Sequence, residues 1–288
     1  MKRLLLIPIL LLMLAGCRAP VSELMTSEGG RAVDDWREME YRVWLPAGYE
    51  KETARTYPLL VWFHGGGETR WGWGREGRIG EIVAGRVRRG ELQPFIVVSP
   101  SAGLFDPVMK SYERMLVDQV LPDVRKKYRV NGKTVAFGHS MGGLSALMVS
   151  MRNPDLFDAV VAASPFLYDT SPWHSESEQA AFDEKFGGRF TRRWRENVGD
   201  AFRHEKTYRA HDPFSLARSG FKPPFKLLLT CGDKDTLGLY PHNLMLHETL
   251  AMAGIEHEWL VQPGVGHGTV EDPRLMDWLN AQANGGKS

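Results

Sequence analysis

Short apolar runs alternate along this chain with stretches whose apolar residues recur at helical spacing. Residues 41–45 alternate apolar and polar in the manner of a strand, and 57–63 form a β-rich apolar run that ends in His64-Gly65-Gly66-Gly67. Residues 95–98, 134–137, 159–163 and 225–230 are nearly unbroken apolar runs, the pattern of strands covered on both faces, and 258–261 is a further strand-like run. Helical patterns fill the intervals at 112–128, 141–151, 243–253 and 273–283. Pro122 falls inside the first of these and is expected to kink or split it. The alternation predicts an α/β fold, a mostly parallel central sheet with helices on both faces.

Residues 165–224 interrupt that alternation. They hold Trp173, Phe182, Phe186, Phe190, Trp194, Phe202, Tyr208 and Phe214 among many charges. Two readings stand: helices whose aromatic side chains pack down onto the sheet, or a small cap insertion lining a substrate pocket.

Composition narrows the classes. With 43% hydrophobic residues, 36 Lys plus Arg against 35 Asp plus Glu, and 2 Cys in 288 residues, the chain is neither disordered nor disulfide-stapled. Nor has it the basic excess of a nucleic-acid binder. Cys231 lies in an apolar stretch and reads as a reduced core residue.

The first sixteen residues read as an export signal: Lys2 and Arg3 precede an apolar run over 4–14 that is too short to span a bilayer comfortably. A plain signal peptide or an N-terminal anchor helix are the alternatives. Loss of this segment leaves a net charge of −1, because it carries two of the 36 basic residues. The run ends in Leu14-Ala15-Gly16-Cys17, which resembles the lipobox of bacterial lipoproteins. That resemblance implies a lipidated Cys17 as the mature N-terminus and a membrane partner through its acyl chains. Arg18 in place of an aspartate points to outer-membrane anchoring in a Gram-negative host. Residues 17–35 are then expected to be a tether and 36–284 the folded domain.

Gly138-His139-Ser140-Met141-Gly142 follows an expected strand and opens an expected helix, the setting of the G-x-S-x-G nucleophile elbow. A serine hydroxyl needs a histidine to take its proton and a carboxylate to orient that histidine. Both are expected downstream. Asp233 and Asp235 lie just past the run 225–230, and His267 lies in the glycine-rich Gly264-Val265-Gly266-His267-Gly268 after 258–261. His267 is the expected base. His139 reads as a packing residue, and His242, His247 and His257 as surface or satisfied structural histidines. Oxyanion donors are expected from the N–H of Met141 and from Gly65 or Gly66, with His64 bracing their loop. Trp71 and Trp73, just beyond that loop, and Trp173 are candidate walls for an aromatic acyl group or a sugar face; ordinary loop anchoring is the alternative for the first two.

From about residue 41 to 278 the chain resembles the esterase D and feruloyl esterase branch of the α/β-hydrolase superfamily. The resemblance rests on residues 64–67, Val120-Leu121-Pro122-Asp123-Val124 to Tyr128, residues 138–143, Asp212-Pro213-Phe214, residues 231–235 and Gly266-His267. It implies Asp235, the last position of a G-x-x-D pattern, as the triad acid, leaving Asp233 as a turn residue. It implies a serine esterase acting on small-molecule or carbohydrate esters, feruloyl and acetyl esters foremost. No cofactor or metal is expected, since the chemistry needs none and the metal-binding motifs are missing. Siderophore ester hydrolysis, acyl transfer to an acceptor other than water, and a non-catalytic surface binding module are the other readings.

Overall fold

The structure is a computed structural model that describes residues 25–33, 38–74, 79–103, 110–268 and 272–284. The expected export signal, Cys17 and the first part of the tether lie outside the described residues. Among the described residues the strands are β1 (Met25–Val33), β2 (Glu38–Pro46), β3 (Tyr57–Phe63), β4 (Ile96–Pro100), β5 (Val130–His139), β6 (Ala159–Ala163), β7 (Lys226–Gly232) and β8 (Glu258–Gln262). They form one sheet in the order β1-β2-β4-β3-β5-β6-β7-β8. The β1–β2 and β2–β4 pairings are antiparallel, and every pairing from β4 through β8 is parallel. The parallel strands therefore end together at one edge of the sheet. Loops that leave Phe63, His139, Gly232 and Gln262 meet there, which is where an open α/β sheet places its ligands.

The period of two along each strand sorts the core into two faces. Leu59, Val61 and Phe63 join one buried cluster with Ala136, Val160 and Leu229, while Leu60 and Trp62 join the other with Phe137, Val161 and Leu228. Helices α1 (Ile79–Arg88) and α10 (Pro273–Ala283) cover the second cluster, and α4 (Met141–Arg152) and α9 (Tyr240–Met252) cover the first. This is the expected α/β architecture, with four departures.

The first is the start of the fold. The expected tether ends before Met25, because β1 pairs with β2 over nine residues. Its sequence, MTSEGGRAV, has no two-sided apolar pattern, and an edge strand held by backbone hydrogen bonds does not need one. The second is α1, which the apolar pattern hid behind Gly80 and Gly85. Gly80 is required there, since a Cβ would lie 2.1 Å from the Trp73 carbonyl oxygen. Trp73 itself is corrected: it has no exposed surface and packs edge-on against Trp62, so it anchors its loop from beneath and walls no pocket.

The third departure is at Pro122. Helix α2 (Lys110–Arg114) and α3 (Leu121–Lys127) are joined by a π-helical segment, Met115–Val120, in which the Leu121 N–H reaches back to the Leu116 carbonyl. The wider turn accommodates a proline that has no N–H to donate, so the helix continues instead of splitting. The fourth is the insertion. Between β6 and β7 lie α5 (Glu176–Phe186), α6 (Gly188–Ala201), α7 (Glu205–Arg209) and α8 (Pro213–Arg218). Trp194, Phe202, Tyr208 and Phe214 are buried in the first cluster, and Trp173 and Phe182 pack partly buried against it, whereas Phe190 is exposed. Most of the aromatic side chains thus serve packing.

A chain that begins at Trp36 lacks β1 and leaves the β2 edge open. It is expected to be about 1–3 kcal/mol less stable than one that begins at Arg18, a fall of about 2–10 °C in melting temperature. Calorimetry of the two chains checks this, and equal melting would show that β1 contributes nothing.

Candidate active site

Ser140 sits between β5 and α4 with φ 57° and ψ −119°, a conformation that disfavours any residue but glycine. Its neighbours hold it there. The Ser140 N–H donates to the Ala163 carbonyl at 2.8 Å, and its own carbonyl accepts from Leu144 N–H at 3.2 Å and Phe166 N–H at 3.0 Å. Gly138 and Gly142 permit the reversal: a Cβ on the first would lie 1.9 Å from the Gly142 oxygen, and one on the second 1.9 Å from the Phe63 oxygen. The serine is left at the N-terminus of α4, where unpaired N–H groups and the helix dipole favour negative charge. Met141 is the first residue of that helix.

Of the two candidate acids, the structure brings Asp235 to His267. The His267 Nδ1 lies 2.7 Å from Asp235 Oδ2, and the Asp235 side chain has no exposed surface while that of His267 keeps 15%. Asp235 Oδ1 accepts from the Leu237 N–H at 2.9 Å and the Leu239 N–H at 3.4 Å. Burial pushes this carboxyl up, but the hydrogen bond and charge of His267 and the two backbone donors outweigh it, so its pKa falls below the ordinary value. The ionised carboxylate fixes the imidazole with its proton on Nδ1.

Asp233 does something else. Its Oδ1 accepts from the Gly264 N–H at 2.7 Å, its own N–H donates to the Gln262 carbonyl, and Lys234 N–H donates to the Val265 carbonyl at 3.0 Å. The turn after β7 is thereby tied to the loop that carries His267. Gly232 closes the contact, since a Cβ there would lie 2.1 Å from the Val265 oxygen.

The expected oxyanion loop lies against the elbow. A Cβ on Gly65 would come 3.6 Å from His139 Nδ1 and 3.9 Å from Ser140 Cβ, whereas one on Gly66 would meet nothing. The Ala102 N–H donates to His64 Nε2 at 3.2 Å, which leaves the His64 proton on Nδ1 to donate to the Gly65 carbonyl at 2.9 Å. His64 braces the loop, as expected. The His139 ring packs against the His267 ring at 4.8 Å, which places the elbow and the histidine loop side by side.

Trp71 is exposed, with the Arg42 guanidinium 3.7 Å above its ring. Trp173 is half-buried against Tyr208. Cys231 is a buried free thiol, raised by burial to about 12. His247 and His257 hydrogen-bond to one another at 2.7 Å. His242 departs from expectation: it is buried and its Nδ1 has no hydrogen-bond partner among the described residues, so it is neither a surface nor a satisfied histidine. Asp212 caps α8 through the Ser215 N–H at 2.8 Å. No group of three or more metal-ligating side chains occurs among the described residues, and no helix there is long and apolar enough to cross a membrane.

Two curated proteins share segments with this chain. The endo-1,4-beta-xylanase/feruloyl esterase of Xylanibacter ruminicola is 30% identical over 131 residues, 40% of this chain and 18% of that protein. The ferri-bacillibactin esterase of Bacillus subtilis is 31% identical over 65 residues, 22% of each chain. The chain therefore spans about a fifth of the length of these curated relatives. Among solved structures, a ferulic acid esterase superposes with a TM-score of 0.63 at 24% identity, covering 90% of this chain and 99% of the other. At that identity the likeness is one of fold, the α/β-hydrolase fold. A family model described as "Putative esterase" matches residues 36–259, which include residues 64–67, Ser140 and Asp235, and the chain belongs to that esterase family.

Proposed function

We propose that the protein is a serine carboxylic-ester hydrolase acting on extracytoplasmic esters, feruloyl or acetyl esters of carbohydrates, through an acyl-enzyme. The observation that carries this reading is the 2.7 Å pair of His267 and a fully covered Asp235, together with a strained serine at a helix N-terminus whose neighbour His139 packs on the His267 ring.

Ser140 Oγ attacks the ester carbonyl carbon while His267 Nε2 takes the hydroxyl proton, and Asp235 stabilises the imidazolium that forms. The carbonyl oxygen becomes an oxyanion held by the N–H groups of Met141 and of Gly65 or Gly66, each worth about 3–4 kcal/mol in such sites. Collapse breaks the bond to the alcohol, which receives the proton from His267. Water, deprotonated by the same imidazole, then attacks the acyl-serine and releases the acid.

Trp71 and Trp173 are proposed substrate contacts. Export and lipidation at Cys17, with anchoring in an outer membrane, are proposed from residues 1–18. The 31% identity to a siderophore esterase over 65 residues favours hydrolysis of a siderophore ester as the second reading.

The protein from Arg18 onward is expected to hydrolyse p-nitrophenyl acetate and methyl ferulate or acetylated xylan, and Ser140→Ala to lose at least about 10⁴-fold in kcat. A siderophore ester in the same panel separates the second reading. Inertness to every ester, together with no labelling of Ser140 by a fluorophosphonate, would sink the proposal. Asp235→Asn is expected to lower kcat about 10²–10⁴-fold, because the neutral amide no longer dictates the imidazole tautomer. Asp233→Asn keeps an oxygen for the Gly264 N–H and is expected to lose less than about 10-fold. Equal losses would contradict the assignment of the acid.

Since the folded-state carboxyl of Asp235 titrates below its unfolded value of about 3.9, its stabilising contribution is complete above that pH. It is lost as pH falls through the lower, folded value. The difference in unfolding free energy between the native protein and Asp235→Asn, measured in urea, is expected not to diminish between pH 7 and 5 and to shrink below about pH 4. A difference that shrinks already above pH 5 would contradict the depressed carboxyl.

A further inference from the structure

Away from the proposed triad, two imidazoles converge on a single point. His257 stands just before β8, and its Nδ1 lies 2.8 Å from the Ile255 carbonyl oxygen. A carbonyl only accepts, so the His257 proton is on Nδ1 and its Nε2 carries a lone pair. That lone pair lies 2.7 Å from Nδ1 of His247, in α9, which therefore donates to it. Neither ring is loosely held. His247 stacks on Trp259 of β8 at 5.3 Å and 12°, and Trp259 stacks in turn on Tyr240 at 6.3 Å. Both histidines are only partly buried, so solvent reaches the pair.

A histidine that gives one ring N–H to a backbone carbonyl is arranged as metal-binding histidines are, because that bond fixes the tautomer and aims the other nitrogen. Two imidazole nitrogens on one ion, at about 2.0–2.1 Å from it and about 90–110° apart, are separated by about 2.9–3.4 Å. His247 and His257 reach the lower end of that range by opening about 0.2 Å. The local charge also suits a cation. Residues 240–262 contain no Lys or Arg, and the exposed Glu248 and Glu256 each adjoin one of the two histidines along the chain. Glu258 is engaged elsewhere, accepting from Trp278 Nε1 at 2.5 Å.

We propose that His247 Nδ1 and His257 Nε2 form a binding site for a divalent transition-metal ion, Zn²⁺ or Cu²⁺, with water in the remaining positions. The proton now shared by the two rings moves to His247 Nε2, both imidazoles stay neutral, and the ion takes its place between two lone pairs. Bound there, it fastens α9 to the start of β8. Asp235 lies on the turn that leads into α9, and β8 leads to the loop of His267. The five residues of β8, about 15 Å, separate the ion from that loop, so it braces the frame of the proposed triad from the far end and takes no part in ester chemistry. This inference goes beyond the esterase reading and does not depend on it.

Calorimetric titration of the full chain, stripped of metal by a chelator, is expected to show a first equivalent of Cu²⁺ or Zn²⁺ binding, Cu²⁺ the more tightly, and no binding of Mg²⁺. His247→Gln and His257→Gln, on different elements, are each expected to weaken that binding at least about 10-fold. Saturating Zn²⁺ is expected to raise the melting temperature of the native protein by about 2–8 °C and that of neither variant. A measurement on the native protein needs no substitution: the electron paramagnetic resonance spectrum of its Cu²⁺ complex is expected to show splitting from two imidazole nitrogens. No binding up to about 1 mM metal, an affinity that survives both substitutions, or a spectrum with one imidazole nitrogen or none would overturn the site.

Discussion

The carbonyl oxygen of Phe63, at the end of β3, stands 1.9 Å from where a Cβ of Gly142 would be. No side chain fits into that gap, and the arrangement at the sheet edge follows from it. Helix α4 can begin so close to β3 only with glycine at its second residue, and β5 can turn into it only with a glycine before His139. What remains is a serine forced to φ 57°, at a strain of about 1–3 kcal/mol. Three backbone hydrogen bonds, to Ala163, Leu144 and Phe166, resist its relaxation. Two of them come from β6 and from the segment that follows it, so the strain is borne by the sheet as well as the turn. Packing the strands this tightly also sets the Gly65 loop close to Ser140 Cβ, the side on which the proposed oxyanion donors lie.

The charged half of the site is built on a different principle. A carboxylate with no exposed surface would be pushed toward its neutral form, and Asp235 stays ionised because every direction open to it is filled: His267 on one oxygen, two backbone N–H groups on the other. The histidine is held as firmly through its loop. Hydrogen bonds between the turn 232–235 and residues 262–265 fasten two successive sheet-edge loops into one unit. Asp233 and Asp235, two residues apart, thus divide one task. The first fixes where the His267 backbone runs, and the second fixes which way its ring faces.

Much of this was legible in the sequence. Strands buried on both faces announced themselves as unbroken apolar runs, and Tyr57–Phe63, Ala159–Ala163 and Pro273–Ala283 carry the boundaries the pattern predicts. The elbow and the loop of His267 were legible because their glycines are obligatory. Harder to see were features that rest on backbone or on context. Strand β1 is held by backbone pairing at an edge and needs no apolar alternation. The π-helical turn before Pro122 is a property of hydrogen-bond spacing that composition does not encode. Trp73 reads the same as Trp71 in a sequence, yet one is sealed under the loop and the other lies open to solvent. The separation of Asp233 from Asp235 came from resemblance to a family, and only the hydrogen bonds give it a physical reason.

Histidines show most directly what sequence leaves out, since the same side chain fills four different states here. His64 has both nitrogens engaged, one receiving from Ala102 and one donating to Gly65, and an imidazole so satisfied is a brace. His247 and His257 satisfy one another across the gap between α9 and β8. His267 spends Nδ1 on a carboxylate, the arrangement that fixes the tautomer and leaves Nε2 as the proton acceptor. His242 is buried, and its Nδ1 has no hydrogen-bond partner among the described residues. Phe182 and Phe186 cover its ring in place of polar partners. The hydrogen-bond state of each ring therefore separates the histidines that hold the structure from those that are open to chemistry or recognition, a distinction no spacing along the chain conveys.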